Sequence, residues 1–323
     1  MSSSTASAAA APTAAAAPTA LALIGLGKIA RDQHLPALRA NAAFLVVAGA
    51  DPNGGIEDLA HFARTEDMLC ELPQIQAVAL CTPPQLRYRL ARLALQAGKH
   101  VLLEKPPCAT LSELAELRTL AQEQGVSLFT AWHARYAPAV EAAREWLKTR
   151  TLAHAQIQWK EDVRRWHPGQ LWIWRAGGLG VFDPGINALS VLTRILPQAV
   201  HVQRAVLDFP GNCQTPIAAE LDLYSGTTPI RAEFDFLQSG PQTWDIRITS
   251  AQGEVLLLTN GGRTLTLDGR QVSDAPDCEY PMLYAHFAEL IAQRVSNVDE
   301  RPLRLTADAL LVGERRTVED FNE

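Results

Sequence analysis

Apolar and polar positions change rhythm once along this chain, near residue 150. Up to that point, near-continuous apolar runs alternate with helix-length segments. "TALALIGLGKIARDQHLPALRAN" (residues 19–41) reads as a short strand, a glycine turn and a helix, and "FLVVAGADP" as a second strand ending at Asp51. "QAVALCTPP" and "VLLEKPP" are further strands, separated by the helix "YRLARLALQAGKH", which closes at Gly98. "LSELAELRTLAQEQG" is a periodic helix from near Ser112 to Gly125, and "VSLFTAWH" follows as a strand. Apolar strands that alternate with helices predict a parallel sheet covered on both faces. After residue 150 the period shortens to two. "TLAHAQIQWKED", "AVHVQRAVLDF", "IAAELDLYSG", "IRAEFDFLQS", "TWDIRITSAQGEVLLL" and "TLTLDGRQV" alternate apolar with polar, joined by glycine-bearing turns. This is the pattern of antiparallel strands with one wet face. Helices at "DPGINALSVLTRIL" and "YPMLYAHFAELIAQRV" make the second half α+β.

The expected fold is α/β: an N-terminal parallel-sheet domain at 19–138, then a C-terminal α+β domain at 139–323. The second carries a large, mostly antiparallel open sheet for substrate binding and oligomerisation, and its last helices are able to return to the first domain. The first 18 residues, "MSSSTASAAAAPTAAAAP", lack the basic and leucine-rich regions of a signal peptide and read as a disordered Ala-rich tail.

Composition narrows the classes. The 323 residues are 47% hydrophobic and 20% charged, ordinary for a soluble globular protein, and the net charge of −6 argues against nucleic acid as a partner. No apolar run approaches the ~20 residues that span a bilayer. Cys70, Cys81, Cys108, Cys213 and Cys278 are scattered and never form a C-x-x-C pair, which suits reduced thiols in the cytoplasm and no metal site.

"IGLGKIA" places Gly25-x-Gly27-x-x-Ala30 between a strand and a helix. The first glycine permits the tight turn, the second lets backbone approach a pyrophosphate, and the small third residue allows close packing. A plain βα turn reads the same way until Asp51 is added at the end of the next strand, where an acid hydrogen-bonds ribose hydroxyls and repels a 2′-phosphate. Residues 19–138 are thus expected to form a Rossmann dinucleotide-binding domain, with NAD expected and NADP possible. Asp51-Pro52-Asn53-Gly54 is equally a good turn sequence, and both readings hold together.

In such a sheet, ligands bind beyond the carboxyl ends of the strands. Thr82-Pro83-Pro84 and Glu104-Lys105-Pro106 both stand there. A lysine in that place can hydrogen-bond a substrate hydroxyl and assist removal of its proton. These residues resemble the glucose–fructose oxidoreductase and inositol dehydrogenase family, through "GLGKIA", "CTPPQLRY", "AGKHVLLEKP", "AWHARYAPAV" and "GGLGVFDPGINAL". The resemblance spans nearly the whole chain after the tail. It implies cofactor contacts at Gly25, Gly27, Lys28, Ile29, Asp51, Thr82, Pro83, Glu104 and Lys105.

The family carries Asp and His one helical turn apart, with the His as base. This sequence has Asp183 and Asn187, and an amide accepts no proton at neutral pH. Proton removal then falls to Asp183, Lys105 or both, which are the expected catalytic residues. Asp183 before a proline also reads as a helix N-cap. Four of the seven tryptophans lie in "QWKEDVRRWHPGQLWIW" beside Glu161 and His167, a composition that suits the apolar faces and polar rim of a sugar, and equally a core or an interface. Trp172 and Trp174 read as packing. "WKEDVRRWHPGQLWIW" and "GGLGVFDPGINALS" look most like the family's bacterial L-arabinose 1-dehydrogenases, which also act on D-galactose. That likeness assigns His133, Glu161, Trp166, His167, Asn187 and Trp244 to the substrate.

The expected activity is an NAD(P)-dependent oxidation of an aldose at C1 to the aldonolactone. Two rivals stand beside it: a dehydrogenase of another polyol such as an inositol, and a non-catalytic dinucleotide- and sugar-binding regulator. A homo-oligomer through the C-terminal sheet is also expected. The argument is that Leu221, Leu223, Phe234 and Phe236 alternate along two strands and form an apolar face in need of cover.

Overall fold

The structure, a computed structural model, describes residues 17–322. The expected tail lies, except for its last two residues, outside the described residues. The first sheet contains β1 (Thr19–Ile24), β2 (Phe44–Ala50), β3 (Ala60–Phe62), β4 (Ala77–Leu80), β5 (His100–Glu104) and β6 (Leu128–Ala131). Their spatial order is β3-β2-β1-β4-β5-β6 and every pairing is parallel. The order reverses between β1 and β4, so the crevice beyond the ends of those two strands is where an open α/β sheet receives ligands.

The continuous apolar runs resolve into two cores by strand alternation. Leu21, Leu23, Ala77, Ala79, Leu102 and Phe129 point to one face. Ala22, Ile24, Val78, Leu80, Val101, Leu103 and Leu128 point to the other. The second face is covered by α2 (Thr65–Glu71), α3 (Pro84–Gln96) and α4 (Leu111–Glu123), the last capped by reciprocal Thr110 and Glu113 hydrogen bonds. The first face is covered by α1 (Leu35–Arg39) and by a helix far along the chain, α8 (Glu279–Gln293). The apolar stripe of α8, Tyr280, Leu283, Tyr284, Phe287 and Leu290, packs on that core.

The second sheet has nine strands in the order β14-β13-β12-β11-β7-β10-β9-β8-β15. They are β7 (Leu152–Lys160), β8 (Val200–Pro210), β9 (Ala218–Ser225), β10 (Thr228–Asp235), β11 (Thr243–Ser250), β12 (Val255–Thr259), β13 (Thr264–Leu267), β14 (Arg270–Asp274) and β15 (Glu314–Val318). Only β7–β10 and β8–β15 pair in parallel. Between α5 (Val140–Leu147) and β8, a four-residue helix, α6 (Val163–Trp166), precedes α7 (Phe182–Ile195). Twelve of the fourteen residues of α7 are buried, because it lies between the sheet and α9 (Arg301–Val312). The packing is close: a Cβ on Gly185 would fall 2.7 Å from the Phe234 ring.

That packing corrects the argument for an uncovered apolar face. Leu221, Leu223, Phe234 and Phe236 are at most 1% exposed and sit in the core with α7. The opposite face carries Glu220, Asp222, Arg231 and Glu233, where Arg231 pairs with Asp222 and Glu220. The period-two strands place their apolar side inward and leave a wet face. Among the described residues, Leu221, Leu223, Phe234 and Phe236 therefore form no exposed apolar face on this sheet.

Candidate active site

The glycine turn is shaped by its neighbours. Gly25 has φ +87°, and a Cβ there would meet the Thr82 amide nitrogen at 2.8 Å, because the end of β4 approaches closely. A Cβ on Gly27 would face open space, and Lys28 and Ile29 open the helix that follows. That helix widens to a π-turn at Ala30–His34. Asp51 binds the turn itself: Oδ2 accepts the Leu26 N–H at 2.7 Å and Oδ1 the Asn53 N–H at 2.8 Å. Pro83 precedes α3, and the Thr82 hydroxyl oxygen and the Gln85 amide oxygen are buried without a protein partner. Buried polar atoms are normally hydrogen-bonded, so the Thr82 orphan beside the glycine turn fits a polar ligand such as a dinucleotide.

Lys105 is clamped from both sides. Its N–H donates to Glu104 Oε2 at 2.6 Å, while the buried Arg87 guanidinium donates to the carbonyls of Glu104 and Pro106 and, at 2.9 Å, to that of Thr82. Arg87 thus joins the ends of β4 and β5. Glu104 Oε1 meets the Tyr280 hydroxyl at 2.6 Å and His34 Nε2 at 3.1 Å, and His34 Nδ1 reaches the Tyr284 hydroxyl at 2.7 Å. Burial alone would raise the Glu104 pKa, but the hydrogen bond and charge of His34 hold it far below the usual carboxylate range. Burial likewise pulls His34 down, and Cys81 with Glu104 outweighs it, leaving the imidazole at about 10. A buried ion pair therefore underlies the lysine.

The chemistry converges at the far end of the Lys105 side chain. Its Nζ lies 3.2 Å from Asp183 Oδ2 and donates to the Asp183 carbonyl at 3.0 Å. Asp183 is the second residue of α7, and its side chain caps nothing, so the N-cap alternative fails. His167 Nδ1 stands 3.8 Å from Asp183 Oδ2, and His167 Nε2 is 2.9 Å from Glu161 Oε1. Glu161 Oε2 accepts the Trp244 indole N–H at 2.8 Å. The Trp244 ring stacks on Trp159 and lies 5.0 Å from Trp166, centroid to centroid. Asn187 follows Asp183 by one turn of α7 and is half-buried. Five of the expected side chains, Lys105, Asp183, His167, Glu161 and Trp244, thus form one connected chain, with Trp166 against its aromatic end.

His133 is placed differently. Its ring binds Glu279 and stacks on Tyr280 at 5.4 Å, so it joins β6 to α8. Its burial opposes protonation, but Glu279 outweighs that and raises its pKa. Trp174 packs against Phe236 and Phe321, as expected for packing. Sequence reasoning missed His34, Arg87, Glu279, Tyr280 and Tyr284. Arg87 reads as an exposed helical arginine, and His34 owes its aim to a π-turn that has no apolar period. The clue for Tyr280 and Tyr284 was their i, i+4 spacing on an apolar helix.

The family model described as an oxidoreductase family with an NAD-binding Rossmann fold matches residues 20–132. Over 302 residues the chain is 49% identical to a galactose 1-dehydrogenase of Pseudomonas fluorescens, covering 93% of this chain and 98% of that one. The crystal structure of a D-galactose-1-dehydrogenase protein from Rhizobium etli superposes with a TM-score of 0.92 at 52% identity, covering 96% of this chain and all of that one. A 3-ketoreductase from Actinomadura kijaniata, solved with NADP, shares the fold at 17% identity and a TM-score of 0.80, over 93% of this chain and 99% of that one. This chain therefore belongs to the glucose–fructose oxidoreductase/inositol dehydrogenase (Gfo/Idh/MocA) family of NAD-binding oxidoreductases.

Proposed function

We propose that this protein oxidises C1 of a pyranose of the D-galactose and L-arabinose configuration to the aldonolactone, with Lys105 and Asp183 at the reacting hydroxyl. The observation that carries the reading is the Lys105–Asp183 contact at 3.2 Å, at the end of β5 where the sheet receives its dinucleotide. NAD(P) supplies the hydride acceptor when bound.

The chain's own residues do the rest. Lys105 is an ammonium beside a carboxylate; two of its N–H bonds are directed at Asp183 and the third is available to the substrate oxygen. That charge favours the developing alkoxide. Asp183, 3% exposed, holds the lysine Nζ in place beside the reacting hydroxyl. Trp166 and Trp244 present flat apolar faces for the sugar's C–H side, and Glu161, His167 and Asn187 supply polar groups for its rim. The Leu26 and Asn53 N–H groups hold both Asp51 oxygens at the glycine turn, and a carboxylate in that place supports NAD over NADP. The two configurations differ by one exocyclic carbon, which supports acceptance of both sugars.

The same proposal places the reaction in the cytoplasm, where the free thiols of all five cysteines are at home. It also includes a homo-oligomer through the second sheet, by way of its wet face rather than an apolar one.

The test is the near-ultraviolet absorbance of reduced dinucleotide with a panel of aldoses and polyols. D-galactose and L-arabinose are expected to support turnover well above myo-inositol. Turnover with inositol alone, or with no sugar, would overturn the reading.

A further inference from the structure

The proton released from an oxidised hydroxyl needs an acceptor, and the two groups nearest to it are poorly suited to keep it. Lys105 Nζ is already engaged by Asp183, at its carbonyl and at Oδ2. Asp183 is buried and its Oδ2 is occupied by that ammonium. His167 differs. Its Nε2 lies 2.9 Å from Glu161 Oε1, and a carboxylate accepts hydrogen bonds without giving one, so Nε2 carries the hydrogen and Nδ1 the lone pair. Nδ1 faces Asp183 Oδ2 at 3.8 Å, too far for a direct hydrogen bond and near enough for both to address one proton.

The packing points the same way. Glu161 and Asp183 are 2% and 3% exposed, and they stand on the Nε2 and Nδ1 sides of the His167 ring. A carboxylate behind an imidazole orients the ring and stabilises the cation that forms, the arrangement known from hydrolytic triads.

We propose that His167 Nδ1 is the terminal acceptor of the substrate's hydroxyl proton, and that Glu161, anchored by Trp244, is the positioning residue that fixes its tautomer. The inference rests on the sugar-oxidation reading above. In the step, the C1–H bond breaks and its hydrogen leaves with two electrons to the nicotinamide ring, so the sugar is oxidised and the dinucleotide reduced. The O–H bond breaks as the C1=O bond forms, and its proton comes to rest as N–H on Nδ1. This assigns the acceptor role that the Asp183–Asn187 pair of α7 leaves open, since Asn187 cannot fill it.

Nitrogen-15 NMR of the histidine-labelled, cofactor-free protein at mildly alkaline pH reads the tautomer without turnover, with the His167 signals assigned by their loss in His167→Gln. The expected result is an Nε2–H tautomer in the parent protein and a mixture in Glu161→Gln; an Nδ1–H tautomer in the parent overturns the proposal. In parallel, His167→Ala is expected to lower kcat by about 10²–10⁴-fold, with dinucleotide binding retained and part of kcat restored by added imidazole. Unchanged turnover in His167→Ala, with the parent oxidising the aldose, overturns the acceptor role and leaves the sugar reading standing. Failure of the parent on every aldose overturns the sugar reading instead, and with it the identity of the proton's donor, while the tautomer still decides the role of Glu161.

Discussion

Lys105 is the residue on which most of the site's contacts converge. Glu104 fixes its N–H, Asp183 its Nζ, and Arg87 the carbonyls of the residues on either side, Glu104 and Pro106. Lys105→Ala removes the ammonium and leaves the glycine turn untouched. Turnover should fall by at least ~10²–10⁴-fold, the scale of a lost proton-transfer or charge-stabilising group, with dinucleotide affinity near the parent's by fluorescence titration. The ion pair beneath it makes a prediction about stability. Glu104 is held below its usual range, so its contribution is present above that range and fades as pH falls. His34 is held up at about 10, so its contribution is full below its ordinary value and fades as pH rises through about 10. Melting temperature against pH should show a plateau with an alkaline decline near that value. His34→Gln should remove the decline and cost roughly 3–5 kcal/mol, because it leaves a buried carboxylate without its cation; an unaltered melting curve would contradict the pairing. The strand-end motif pointed to Lys105 and the family resemblance to Asp183, and the structure brings the two side chains into contact. Arg87 and His34 were not legible in the sequence, because a buried polar group paired with backbone or with a residue seventy positions away leaves no local pattern.

At the scale of elements, the βαβ unit is held by a carboxylate as much as by its glycines. Asp51 ties the end of β2 to the turn after β1 through Leu26. Asp51→Ser shortens that tie and removes a charge. Both dinucleotides should bind more weakly, with the NADP-to-NAD ratio of kcat/KM rising; a constant ratio would show that Asp51 does not face the ribose. Strand assignments were the most readable part of the chain. β9, β7 from Ala155 and β10 from Ile230 bury every second residue as their alternation predicts, and the continuous runs of β1, β4 and β5 are largely buried on both faces. The short edge strand β15, "ERRTV", is charged and exposed, so no apolar rhythm announced it. The return of α8 across the first sheet was foreseen as a possibility. Its place over Leu21, Phe44 and Phe129 follows from long-range packing that one helix's periodicity cannot specify.

At the scale of the molecule, the correction to the second sheet changes what self-association would mean. With Leu221, Leu223, Phe234 and Phe236 covered inside the chain, a dimer would have to join polar, ion-paired faces. Such a contact should weaken in salt. Light scattering at micromolar concentration should give about twice 35.2 kDa at low ionic strength; a mass of 35.2 kDa throughout would remove the oligomer from the account. The central claim concerns one carbon of one sugar, and isotope transfer addresses it without intermediaries. With D-galactose deuterated at C1, the account predicts deuterium in the reduced nicotinamide ring, a primary isotope effect on single-turnover reduction, and galactonolactone as product. Reduction with the label retained in the sugar would contradict it, because the hydride would then come from another carbon.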